Sequence, residues 1–417
     1  MKRTGLFVFF FFFIFIHLHA RDIKNQRAEF DAYCARIEKM LDKAFKKQDV
    51  DLFAEAIFLN GSDILWLYGK DSTFIPWVEK LEKLRKKTKD KVKRSIYSSV
   101  LAEMKLKIIS SGYREVLQKE NEVQDVVLRS KIQMAVNDIR ESVVHPELLQ
   151  KTQGDYPELL ELSAIRTGVT TNTLYDLVML RAIELYQKWP IKRLCKPVKQ
   201  APVKFSLLCP VNEFLEIPLQ EDEEYLINNI FVLYQQLLRF HRNDNRFIFA
   251  DIELNRLQFL HSYIYSFANP AREELRNLLG GMALDLYDMC KDMPDVGKLI
   301  EDIDYIYGTG NEKFSERFYT ICLDALKRTD NPENKETIRY VLENMAKPMI
   351  RVPLEATPYS RIIYPNREKV LTFEYRGIKN LGIRLVKRTC SAIEYERNSE
   401  KCPVEEVYRD SVHLGDS

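Results

Sequence analysis

NTLYDLVMLRAIELYQKW, residues 172–189, carries apolar side chains at Leu174, Val178, Ala182, Leu185 and Trp189, steps of three and four residues. That spacing puts them on one stripe of an α-helix, with Asn172 or Thr173 placed to cap its first turn. Most of the chain reads the same way. Its 417 residues include only 14 glycines, too few for the many turns of an all-β or doubly wound enzyme. Hydrophobic residues make up 46% and charged residues 30%, the composition of a globular protein with material for two or three domains.

Upstream, Phe30, Tyr33, Ile37, Met40 or Leu41, and Phe45 predict an amphipathic helix over about 21–48, and VDLFAEAIFL (50–59) predicts a second one stopped by Asn60-Gly61. Asp71-Ser72 can cap a segment bearing Phe74, Trp77, Leu81 and Leu84. The run KLRKKTKDKVKR (83–94) could be a nucleic-acid or membrane patch, but Val92, Ile96, Val100 and Met104 carry the next apolar stripe, so we read a solvated helix-turn-helix junction. Two more helical stretches follow, and His145-Pro146 breaks the second, because the residue before proline disfavours α. Downstream, Pro190, Pro197, Pro202, Pro210 and Pro218 predict an extended connection and the best internal boundary. From Glu221 to Met345 the pattern is helical pairs joined by polar turns, the layout of an α-solenoid or tetratricopeptide-like array, though without a clean repeat.

The period changes near residue 370. In VLTFEYRGIKNLGIRLVKR (370–388), Leu371, Phe373 and Tyr375 alternate with Thr372, Glu374 and Arg376, and Leu381, Ile383 and Leu385 alternate again after a turn-like Gly377–Asn380. Period-two alternation predicts half-buried strands. Residues 389–417 show little further alternation.

The first twenty residues stand apart. Lys2 and Arg3 precede the apolar run LFVFFFFFIFI (6–16) and a small residue, Ala20, the pattern of a secretory leader. Eleven apolar residues fall short of the roughly 20 that span a bilayer. Removing residues 1–20 leaves 61 basic against 61 acidic residues, a balance that gives no reason to expect nucleic acid or an anionic membrane as partner. The seven cysteines are sparse: Cys195–Cys209 and Cys390–Cys402 could be local disulfides, or all could be buried thiols.

No arrangement of chemistry-bearing residues stands out. His145, His241, His261 and His413 form no metal-ligand spacing, and His241 and His261 read as structural histidines inside helices. Neither a nucleophile elbow nor a phosphate-cradling glycine loop is present; Gly280-Gly281 lies inside a helical pattern. We therefore assign no catalytic, cofactor-binding or metal-ligating residue, no cofactor and no enzymatic activity, and we read a scaffold.

Three stretches resemble a known family. NTLYDLVMLRAIELY (172–186), the preceding NDIRESVVHPELLQKTQGDYPELLE (137–161), and PMIRVPLEATPYSRIIYPNREKVLTFEYRGIKNLGIRLVK (348–387) are similar, in this order, to the N-terminal part of bacterial alpha-2-macroglobulin-family proteins. The resemblance departs at Asn172, where the family has Pro, and at Gly377, where it has Asn. It implies a helical region leading into the first macroglobulin β-sandwich, and in complete members a bait segment and thioester that trap proteases. Neither of those is recognisable here. The expected organisation is a signal peptide (1–20), an N-terminal helical region (21–189), a Pro-rich connection (190–222), a helical-repeat-like region (223–346) and a truncated macroglobulin-like β segment (347–417). The expected partners are proteins, either proteases met by a full-length form or a polypeptide completing the sandwich, and not nucleic acid. The expected location is the periplasm, cell envelope or exterior. The alternative is a stand-alone helical-repeat interaction module.

Overall fold

The computed structural model describes residues 23–59, 65, 68, 71–116, 122–150, 173–188, 190–191, 207–221, 226–243, 246–264, 269–293, 296–307, 315–346, 349–351, 374–376, 380–388 and 404–413. The leader falls outside them, as do Cys195, Cys390 and Cys402. The protein is mainly α-helical, and by its internal contacts divides into two compact units, Met1–Ile338 and Arg339–Ser417.

The first unit opens with α1 (Ile23–Lys47) and α2 (Val50–Phe58). Their two-residue link is a Schellman-type stop: Asp49 N–H donates to Ala44 O at 2.9 Å, and Gln48 adopts a left-handed φ of 52°. Asp49 then serves the next helix, its side chain accepting from Leu52 N–H at 3.1 Å. A 3-10 turn at Asp71–Phe74 leads into α3 (Ile75–Lys87), and the basic run does form a junction, with α3 ending at Lys87 and α4 (Lys91–Val116) starting after three intervening residues. Phe45, Phe53 and Trp77 clasp α1, α2 and α3, with ring centroids 4.8 Å apart for Phe53–Trp77 and 4.9 Å for Phe45–Trp77. Next come α5 (Glu122–Ser142) and α6 (Pro146–Gln150), separated at His145-Pro146 as expected.

Helix α7 (Leu174–Tyr186) is the middle of this unit. The sequence predicts one apolar stripe, yet every residue of α7 except Glu184 is buried. The reason is packing on several sides: α4, α5, α6 and a later helix, α9 (Ile227–His241), all lie against it. Helix α8 (Val211–Glu216) packs on α9. The contact of α7 with α9 therefore runs straight across 190–222, and the proline-rich stretch is no border between compact units. Then α10 (Arg246–Ile264), α11 (Asn269–Cys290) and α12 (Leu299–Tyr307) pack consecutively, with α12 also returning to α10. Helices α13 (Ser315–Arg328) and α14 (Pro332–Ala346) follow, and the boundary between the units falls inside α14. Among the described residues no helix is long and apolar enough to cross a membrane.

Among its described residues the second unit holds four strands, β1 (Met349–Arg351), β2 (Glu374–Arg376), β3 (Asn380–Arg388) and β4 (Val404–His413). The alternation on either side of Gly377 suggests a hairpin, but β2 and β3 do not pair. Instead β2 runs antiparallel to β1, with Ile350 opposite Tyr375, and β3 runs antiparallel to β4, with Leu381 opposite Val412 and a bulge between Leu385 and Val386. The β structure also continues to His413, beyond the point where alternation fades. In VEEVYRDSVH the period-two signal is lost in charged residues and interrupted at the bulge, so the strand is specified by its partner more than by its own pattern.

Candidate functional site

The first chemistry-bearing group is the set of polar residues inside 172–186. Thr173 caps α7 reciprocally: Asp176 N–H donates to Thr173 Oγ1 at 3.2 Å, and Thr173 N–H donates to Asp176 Oδ2 at 3.0 Å. The other oxygen of Asp176 lies 2.7 Å from Nε2 of His241, the last residue of α9, with both side chains buried. One carboxylate thus starts α7 and fastens it to the end of α9, where a helix C-terminus favours positive charge. His241 is the structural histidine the sequence suggests.

Two turns on, Arg181 does the larger task. Its Nη1 donates to Phe58 O at 2.7 Å and its Nη2 to Ile57 O at 3.0 Å, so it satisfies carbonyls left open at the end of α2. Nη2 also pairs with Glu103 of α4, and the guanidinium stands 5.0 Å from the Phe58 ring centroid. Arg181 is 2% exposed and Glu103 6%, so the pair is inside the protein. A planar, permanently charged fork can serve two carbonyls and a carboxylate at once, which lysine cannot. Helices α2, α4 and α7 meet on this one side chain.

The same device recurs in the following helices. Arg256 of α10 donates through Nε to Glu253 at 2.7 Å, through Nη1 to Leu207 O at 3.0 Å and through Nη2 to Cys209 O at 3.1 Å, while standing 4.3 Å from the Phe214 ring. Burial pushes the Glu253 carboxyl above its ordinary range, and the Arg256 contacts pull it back. Gln235 of α9 holds the same strap, donating to Phe214 O and, at 2.9 Å, to Ile217 O. Residues 207–217 are therefore pinned to α9 and α10 by side chain-to-backbone bonds.

A third group lies between α10 and α12. Lys298 Nζ is 3.6 Å from Asp251 Oδ2, and Gln258 Nε2 donates to Asp302 Oδ1 at 2.7 Å. Burial, and then the neighbouring Asp251, push the Asp302 carboxyl up to about 7; burial pushes Asp304 up to about 6. Burial, joined by Arg276, lowers His261, whose ring meets Tyr305 edge-on at 5.5 Å. Among the described residues no group of three or more His, Cys, Asp or Glu side chains is placed to hold a metal ion. Cys34, Cys209, Cys290 and Cys322 are free thiols, all raised above the ordinary range chiefly by burial.

Sequence reading singled out the stretch 172–186 but missed the roles of Asp176, Arg181, Glu103, Glu253 and Arg256. The available signal was a charged residue breaking an apolar helical run, at Arg181 and at Glu253-Leu254-Asn255-Arg256. Compared with protein-family models, with curated proteins and with solved structures, the chain finds no match in any of the three.

Proposed function

We propose that this chain is an exported, non-catalytic helical scaffold that works by binding protein, resembling the N-terminal part of bacterial alpha-2-macroglobulins. The observation that carries the reading is the use made of the 172–186 stretch. Its polar residues Thr173, Asp176 and Arg181 serve buried caps and interhelical ties, joining α7 to α2, α4 and α9. A stretch whose polar residues serve architecture suits a scaffold that holds other domains. On this reading β1–β4 are the opening strands of a macroglobulin-type β-sandwich, and protease trapping belongs to a longer form carrying a bait segment. The leader directs the chain to the periplasm, the cell envelope or the exterior.

The consecutive packing of α9, α10, α11 and α12 favours a second reading, a stand-alone tetratricopeptide-like interaction module. Immunoblotting of the native source with antibodies to residues 21–345 separates the two. A product several times larger than 49.2 kDa, forming protease-dependent complexes, supports the macroglobulin reading. A product of this mass that captures a stoichiometric, uncleaved partner supports the module. A product of this mass with neither behaviour, or one whose turnover of a small substrate is lost on changing a single carboxylate or thiol, defeats both.

A further inference from the structure

The lysines of the first four helices are divided between two fates. Those turned toward neighbouring helices are paired: Lys93 with Asp51 at 2.5 Å, and Lys105 with Glu82 and Asp138, each at 2.7 Å. The arginines of the basic run are likewise committed inward. Arg85 reaches Asp138 at 2.6 Å and Glu141 at 2.8 Å, and Arg94 donates to Thr88 O at 3.1 Å. These ties engage Asp51, Glu82, Asp138 and Glu141. Left on the outside, exposed and with no ion pair among the described residues, are Lys39, Lys43, Lys46 and Lys47 of α1 together with Lys80, Lys83, Lys86, Lys87, Lys89 and Lys91 of α3 and its junction. Among the described residues, the exposed acids of α1, α3 and the junction are Asp31, Asp42, Glu79 and Asp90; Asp42 accepts from Tyr68 Oη and Asp90 accepts from the first backbone N–H groups of α4.

The two lysine groups lie on neighbouring helices, in contact where Lys80 meets the end of α1. Lys80 Nζ donates to Gln48 Oε1 at 2.8 Å, and Phe45 meets Trp77 edge-on, so the last turn of α1 lies beside the first half of α3. On α1 the buried positions Tyr33, Ile37, Leu41 and Ala44 leave 39, 43, 46 and 47 on the outward side; on α3 the buried Trp77, Val78 and Leu81 leave 80, 83, 86 and 87 there. A chain that is neutral overall thus concentrates positive charge on one ridge.

We propose that this lysine ridge is a docking surface for an anionic lipid bilayer, binding the phosphates of its headgroups. Lysine is a point charge on a flexible stem, suited to a fluid field of phosphates with no fixed geometry, whereas recognition of a fixed phosphate or carboxylate favours the arginine fork. In the basic run the forks of Arg85 and Arg94 are turned inward while the lysines face out. Single-stranded nucleic acid is disfavoured because the described aromatic rings of these helices, Phe45, Phe53, Phe74 and Trp77, face one another and offer no platform for base stacking. With the leader (1–20) removed, the ridge acts without a second, apolar membrane signal. A polybasic patch with a second signal gives stable attachment, and alone it gives reversible, salt-sensitive attachment. This inference rests on the first helices alone and does not depend on the macroglobulin reading.

The test is co-sedimentation of the chain beginning at Arg21, which keeps every described element, with vesicles of one part phosphatidylglycerol to three parts phosphatidylethanolamine. Binding is expected at low salt and release at high salt, with no binding to phosphatidylcholine vesicles. The quadruple variant Lys46→Gln/Lys47→Gln/Lys86→Gln/Lys87→Gln should lose partitioning by a factor on the order of 100 to 1,000. A control replacing Lys131, Lys188, Lys291 and Lys327 by Gln should change it by less than about threefold, lysine by lysine being equal in charge but off the ridge. Equal loss in both variants, retention by the first, equal binding to uncharged vesicles, or tighter capture by polyglutamate than by the anionic vesicles would each overturn the proposal. Unchanged unfolding midpoints in both variants separate lost binding from lost folding.

Discussion

Replacing Arg181 by Met is the most direct perturbation of the α2–α4–α7 junction. Methionine keeps the length and apolar contact of the side chain but removes the guanidinium. Glu103 is then left in a protein interior where it is 6% exposed, and the carbonyls of Ile57 and Phe58 lose donors at 3.0 and 2.7 Å. Breaking one partner out of a buried pair costs about 3–5 kcal/mol. The two carbonyls add less than their nominal bond strength, because the end of α2 can recruit water once the helices loosen. Against a typical total of about 5–15 kcal/mol this is a large loss. The companion variant Arg181→Met/Glu103→Leu should recover much of it, falling within about 2 kcal/mol of wild type, since an apolar pair of similar volume leaves no charge unpaired. The assay is urea unfolding of the chain from Arg21, followed by circular dichroism and by tryptophan fluorescence, with the two transitions required to coincide. Trp77 reports on the region directly, its ring 4.8 Å from that of Phe53 on α2. An Arg181→Met loss below about 1 kcal/mol, or a double variant equal to the sum of the single ones, would refute the argument that these helices meet on a buried ion pair.

Thr173→Ala should remove one half of the capping box and lower stability by about 1 kcal/mol, read as a shift in urea midpoint at unchanged slope. Gly297→Ala places a Cβ 3.1 Å from the Cβ atoms of Thr329 and Asn334, which are fixed to their own backbones, so a loss of about 1–3 kcal/mol is expected in thermal unfolding. The Asp302 carboxyl, raised from 3.8 to about 7, holds a proton in the folded protein that the unfolded chain has released. Its contribution is therefore fully present below about pH 4 and lost as pH rises through about 7, and Asp302→Asn should flatten stability against pH across that window. His261 has the opposite sign: its lowered value favours the neutral ring when folded, so its contribution is lost as pH falls below the ordinary histidine range, and His261→Gln should blunt the acid limb of the same profile.

Local features were legible because their causes are local. The period of α1, the stop at His145-Pro146, the cap at Thr173 and the junction at 87–91 all follow from residues within one or two turns of each other, and the sequence alone determines them. The structure alone decided what α7 touches. Asp176 meets a histidine 65 residues later, and Arg181 meets Glu103 78 residues earlier and the carbonyls of α2 more than a hundred residues earlier. No spacing rule connects such positions, and Arg181 in the sequence is simply a charge interrupting an apolar run. Strand pairing was hidden for the same reason. Alternation marks β2 and β3 as strands, but whether a strand takes its neighbour in sequence or a segment farther away depends on which edges the folded chain brings together, and here β2 takes β1 while β3 takes β4. The lysines show the division most plainly: composition counts them, and tertiary packing decides that Lys93 and Lys105 are paired with acids of neighbouring helices while those of the ridge face water unpaired.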